Sequence, residues 1–95
     1  MERQNDGLLG LRNSFAGTSY CVTLSGELGI ESLDSFSAEM LRMEESGAAE
    51  TAVDLSRLDF IDSSGMAALA RTGRRFRTHG GHLRVLGRPR RFANH

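Results

Sequence analysis

Lysine and tryptophan are absent from this 95-residue chain, and cysteine and proline occur once each. No apolar run approaches the roughly 20 residues that a membrane-spanning helix needs. Cys21 stands alone, so an internal disulfide and a multi-cysteine metal site are both excluded. Its place in the run Tyr20-Cys21-Val22 reads as a packed strand position in a reducing, cytoplasmic compartment. The first residues, Met1-Glu2-Arg3-Gln4-Asn5-Asp6, hold no basic stretch leading into an apolar one, so no secretory signal is expected. One tyrosine and no tryptophan leave no aromatic-basic interleaving on which nucleic-acid bases could stack.

The charges present are segregated. All twelve acidic residues and four arginines lie up to Asp62, a net charge of −8. Eight arginines and no acid follow, a net charge of +8. Such asymmetry marks either a basic face of one compact fold or a nucleic-acid contact. The first reading is favoured, because Arg71, Arg74, Arg75 and Arg77 fall between apolar positions of a helical pattern. At this length one domain is expected, with roughly 60–70% of the open chain's surface buried on folding. Residues 1–7 are expected to be a flexible N-terminus, and residues 8–95 a single domain.

Leu8-Leu9-Gly10-Leu11 and Tyr20-Cys21-Val22-Thr23-Leu24 read as two extended runs around a glycine-containing loop, a hairpin. Ser25-Gly26-Glu27-Leu28-Gly29 reads as a break. Leu33, Phe36, Met40 and Met43 then recur at helical spacing, predicting a helix over 32–46 with Ser32 as its N-cap and an apolar core face. Thr51–Leu55 reads as a buried central strand ended by Ser56-Arg57. Met66, Leu69, Ala70, Gly73 and Phe76 predict a second helix from Ser64 to His79, closed by Gly80-Gly81. His82–Leu86 is the last strand, broken by Gly87-Arg88-Pro89. The order β-β-α-β-α-β predicts an α/β fold: a mixed sheet of about four strands with helices packed on one face.

Asp62-Ser63-Ser64-Gly65 stands where the second helix begins. The first four N–H groups of a helix lack internal partners, and Asp or Ser side chains accept from them. The partial positive charge there also favours an anion. Gly65 is unusual in a first turn, where it costs about 1 kcal/mol relative to Ala. Three small polar residues and a glycine keep this tip bare, which suits docking of another protein onto a hydroxyl. A serine hydrolase is disfavoured: there is no Gly-x-Ser-x-Gly elbow. His79 would lie about 22 Å along the helix from Ser64, too far to act as its base. His82 and His95 lack a spaced ligand set for a metal.

The segment Val53-Asp54-Leu55-Ser56-Arg57-Leu58-Asp59-Phe60-Ile61-Asp62-Ser63-Ser64-Gly65-Met66 resembles the signature of STAS-domain anti-sigma factor antagonists. Ser25-Gly26-Glu27-Leu28 and Gly80-Gly81-His82-Leu83-Arg84 agree with the same family, and the resemblance spans roughly residues 8–87. It implies a non-enzymatic switch without a cofactor. The unmodified protein would dock on an anti-sigma factor serine kinase, freeing a sigma factor. That kinase would then phosphorylate Ser64, and a serine phosphatase would reverse the step. Asp62, Ser63, Ser64, Gly65, Met66, Glu27 and Gly29 would form the docking surface.

Two departures from the family pattern stand out. Gly29 occupies a position where members carry Asp after Gly-Glu-Leu. The chain also continues past its last strand for only a short stretch, in which Arg88–Phe92 is expected to form at most one helical turn. A C-terminally shortened fold would expose apolar surface and favour weak homodimers. The alternatives are a STAS module that binds partners without being phosphorylated and, more distantly, an arginine-rich nucleic-acid-binding domain. No membrane contact is expected.

Overall fold

Alternation along the second half of the hairpin sets the layers. Tyr20, Val22 and Leu24 are buried, while Cys21, Thr23 and Ser25 between them stay half-exposed on the opposite face. A computed structural model describes residues 2–4 and 8–93. The elements are β1 (Glu2–Gln4), β2 (Leu9–Ala16), β3 (Ser19–Leu28), a short 3-10 turn (Ile30–Ser32), α1 (Leu33–Glu45), β4 (Glu50–Asp62), α2 (Ser63–Thr78), β5 (Leu83–Leu86) and β6 (Arg91–Ala93).

These strands form one mixed sheet in the order β1-β2-β3-β4-β5, with β6 also on β4. The β1/β2 and β2/β3 pairs are antiparallel; β3/β4, β4/β5 and β4/β6 are parallel. Parallel neighbours need a crossover, and α1 and α2 supply it. The two helices touch each other, and α1 packs on β3 while α2 packs on β4 and β5. The mixed α/β sheet with its helices on one face is therefore as expected. Of the stretch assigned to a flexible N-terminus, Glu2–Gln4 form β1, and residues 1 and 5–7 lie outside the described residues.

Among the described residues the sheet has six strands, where about four were expected. Arg91–Ala93 form β6, not a helical turn, and the Arg90 N–H donates to the Leu58 carbonyl at 2.8 Å. A lone helical turn is costly to nucleate. The edge of β4 past its pairing with Leu86 offers a ladder instead. Nor do β3 and β4 break where expected. β3 runs through Gly26, and β4 runs through Ser56-Arg57. Register shifts between Thr23 and Ser25, and between Gly26 and Glu27, absorb extra residues of β4 as bulges.

Phe36, Met40 and Met43 of α1 pack into the core with Val22, Leu24, Val53 and Leu58, and Leu33 packs against it. Each such side chain contributes about 1.5–3 kcal/mol when fully buried. On α2 the buried positions are Gly65, Ala68, Leu69 and Phe76. Met66 and Ala70, expected in the stripe, are exposed, because the face turned to the sheet is the one that carries Gly65, Ala68, Leu69 and Phe76. α2 ends as expected, with Gly80 at φ +82° and the Gly81 N–H bonded to the Phe76 carbonyl at 2.8 Å.

One carboxylate belongs to this core. Glu39, three residues after Phe36 on α1, is 1% exposed. It accepts from Arg42 Nη2 at 2.7 Å, from Asn13 Nδ2 at 3.1 Å and from the Tyr20 hydroxyl at 3.2 Å. Burial pushes its pKa up. The Arg42 and Asn13 hydrogen bonds, the Arg42 charge and the Tyr20 hydroxyl outweigh burial and hold it below the ordinary glutamate value. Burial and the Glu39 charge together push the Tyr20 phenol up.

The depressed value fixes the sign of a pH dependence. The stabilisation from Glu39 is complete above the unfolded carboxylate pKa and is lost as pH falls through the lower folded one. Glu39→Gln is expected to lose about 1–3 kcal/mol at pH 7, the scale of hydrogen bonds to a charged group. Urea unfolding at a series of pH values checks this: the gap to wild type should close on acidification. A gap that is constant with pH rules the carboxylate out as the cause.

Candidate functional site

The amino end of α2 is built by Asp62 and Gly65. Asp62 has extended backbone at the N-cap, and its Oδ1 accepts from the Gly65 N–H at 2.9 Å. Gly65 is buried, and a Cβ there would run into the Leu28 carbonyl oxygen and meet Ile61 Cγ1 at 2.8 Å. The glycine is thus required by the close approach of α2 to the end of β3. It supports the tip from beneath and is not part of its surface.

Above it, Ser63 is exposed as the first residue of α2, Ser64 is half-buried as the second, and Met66 is exposed. No hydrogen bond among the described residues engages the Ser64 hydroxyl. The hydroxyl lies at a helix end whose N–H groups and dipole favour negative charge.

The segment between β3 and α1 lies beside this tip. Ser32, expected to cap α1, makes no side-chain bond to that helix. Its buried hydroxyl accepts from the Gly29 N–H at 3.1 Å and reaches the Glu27 and Gly29 carbonyls at 3.0 and 3.2 Å. It fastens the turn that carries Glu27 and Gly29. These two residues, with Ile30, Glu31, Phe60 and Asp62, line a shallow depression of about 140 Å³. Glu27, Gly29 and Asp62 are therefore brought together, whereas Ser63, Ser64 and Met66 stand on the neighbouring helical turn and do not line it.

Position 29 lies against the cap of α2. A Cβ there would lie 2.7 Å from Asp62 Oδ2. The space is taken by the carboxylate that caps α2. A second carboxylate at that spot would be both crowded and repelled.

Apart from Met66, sequence reasoning missed the apolar part of the site. Ile30 is 71% exposed, and Phe92, paired in register with Ile61, is 55% exposed. Ile30 carried a faint signal, being an isolated bulky residue next to a glycine. Phe92 carried none, because its position depends on β6 pairing. His79, at the far end of α2, sets its Nδ1 2.8 Å from the Arg75 carbonyl and 3.3 Å from Glu44 of α1. Among the described residues no cluster of His, Cys, Asp or Glu is arranged to hold a metal.

A family model described as Mlab, STAS domain, matches residues 11–94. Among solved structures the chain is similar to the antisigma-factor antagonist STAS domain from Rhodobacter sphaeroides. The two are 25% identical with a TM-score of 0.70, and the match covers 87% of this chain and 90% of that one. Mglu is similar in fold alone, at 20% identity and a TM-score of 0.70; the match covers 78% of this chain and 18% of that one. No curated protein sequence matches.

Gly65→Ala is expected to destabilise the fold by about 1–3 kcal/mol, the usual penalty for overpacking. Gly29→Asp should be destabilising as well, and by more than Gly29→Ala because of the charge on Asp62. Thermal unfolding of the three variants measures both, and a neutral Gly29→Asp would refute the crowding at Asp62.

Proposed function

The chain belongs to the STAS domain family, and we propose that it is an anti-sigma factor antagonist switched by phosphorylation of Ser64. The observation that carries the reading is the Ser64 hydroxyl: half-exposed, uncommitted among the described residues, and set at the start of α2 between exposed Ser63 and Met66.

In the unmodified state the tip docks on an anti-sigma factor serine kinase and displaces a sigma factor. Ile30 and Met66 supply apolar anchors, and the small residues around Ser64 let the partner approach closely. Glu27, Glu31 and Asp62 set negative charge in the depression beside the tip, so the partner surface that fits it is positive or neutral.

The kinase transfers the terminal phosphoryl group of its nucleotide to Ser64. The bond from phosphorus to the bridging oxygen breaks, a bond to Ser64 Oγ forms, and the serine proton passes to a base of the kinase. The nucleotide and its metal belong to that partner. A serine phosphatase hydrolyses the ester and restores the hydroxyl.

The phosphate adds about 1.5 to 2 negative charges. The helix end tolerates them, so the domain stays folded. The acidic tip becomes more acidic, and a surface matched to a hydroxyl is left with repulsion. Like charges set against each other across an interface cost several kcal/mol, and each 1.4 kcal/mol is tenfold in affinity. One ester is enough to release the partner. The working compartment on this reading is the cytoplasm, and neither nucleic acid nor membrane is a partner.

Ser64→Ala should hold the kinase with wild-type affinity, and Ser64→Asp should weaken it at least about tenfold, as measured by calorimetry with the purified partner. Equal affinities sink the switch. Incubation with the kinase and ATP, followed by mass spectrometry, should place one phosphate on Ser64. Tight binding with no transfer would instead favour the phosphorylation-independent module.

A further inference from the structure

The face of the sheet away from the helices carries a second concavity, unrelated to the α2 tip. Leu11, Arg12, Thr23, Ser25 and Arg57 line a cavity of about 160 Å³. One ordered water needs about 10–15 Å³ on such a measure, so there is room for a polyatomic ion with some of its hydration. Its polar lining consists of two guanidinium groups and two hydroxyls, with no carboxylate.

Arg57 reaches this place through the bulge. Thr23 lies opposite Asp54, yet Ser25 lies opposite Arg57, so β4 gains one residue on β3 between the two pairs. A regular ladder would set Ser56 against Ser25. Bulges re-aim side chains, and here Ser56 and Arg57 are consecutive exposed residues in the middle of a long central strand. Among the described residues no carboxylate pairs with Arg57. Asp54, opposite Thr23 in the ladder, does not line the cavity, and its Oδ1 accepts from the Ser56 N–H at 2.9 Å.

Ser25 is held on the same spot. Its Oγ lies over Gly10, where any Cβ would collide with it. Arg12, across from Thr23 on β2, also lines the cavity and is engaged by another group.

We propose that this cavity binds a phosphate group, either inorganic phosphate or the head of a small phosphate monoester. Arginine's planar fork matches phosphate oxygens in pairs, and hydroxyls donate to the others. The Arg57 guanidinium, with the Thr23 and Ser25 hydroxyls beside it, is the set on which phosphate oxygens can settle. The site is independent of Ser64 and stands whether or not that serine is phosphorylated.

The test is a two-dimensional amide NMR titration of the whole chain. The probes are inorganic phosphate and glycerol 3-phosphate, with sodium chloride at matched ionic strength as control. Saturable shifts should centre on Arg12, Thr23, Ser25 and Arg57, and the tighter of the two probes identifies the form recognised. Arg57→Gln should weaken binding about tenfold or more, Ser25→Ala less, and Ser64→Ala not at all. The spectra themselves report whether each variant is folded. Shifts that do not saturate, that spread over the α2 arginines, that centre on the amino end of α2, or that persist in Arg57→Gln overturn the proposal.

Discussion

The amino end of α2 rests on the last residues of β3 because residue 65 has no side chain to hold it away. This contact, Gly65 against the Leu28 carbonyl, is what most of the functional geometry depends on. It draws the cap residue Asp62 to the turn after β3, so its carboxylate would have to shift to admit a side chain at position 29. It also lifts Ser63, Ser64 and Met66 onto the surface, since the opposite side of the helical turn is spent on the approach. Glycine in a first turn is unfavourable for the helix in isolation. The tertiary contact offsets that penalty, so a locally poor residue marks the place where two elements must nearly touch.

The sheet separates two kinds of surface. On the helix side, apolar residues of β3 and β4 meet the stripe of α1, and Glu39 is admitted because three donors meet it. On the other side, half-exposed Cys21, Thr23 and Ser25 form a small-residue floor. Burial and the charge of Asp54 push the Cys21 thiol up, so it stays protonated and little reactive. The bulges in β4 are felt on both sides. They keep Leu55, Leu58 and Ile61 on the core side despite the irregular spacing, and they deliver Arg57 to the open face.

Much of this was legible along the chain, for identifiable reasons. Both helices follow a 3.6-residue period strong enough to set their ends within a residue or so. Asp62, Ser63 and Ser64 announce a helix start by chemistry alone. The bulges defeated the reading of β3 and β4, because two adjacent polar residues, Ser56 and Arg57, look like the end of a strand when they are a kink within one. β6 has no periodicity to read, and only the free edge of β4 creates it. Glu39 is a polar residue on an apolar stripe, and its partners Asn13 and Tyr20 are remote in sequence. Gly29 looked like the loss of a carboxylate. What stands beside it, the Asp62 side chain 2.7 Å from where a Cβ would be, is seen only in three dimensions.

Ser32 carries one more consequence. Its hydroxyl knots the start and the middle of the turn after β3 into a single arrangement before any partner arrives. Ordering a loop on association usually subtracts from affinity, and a loop already ordered escapes that loss. The acidic half of the tip should therefore meet its partner as a rigid template. Recognition at this end of the molecule would proceed by selection of shape, with the association rate governed by collision and orientation and not by a folding step.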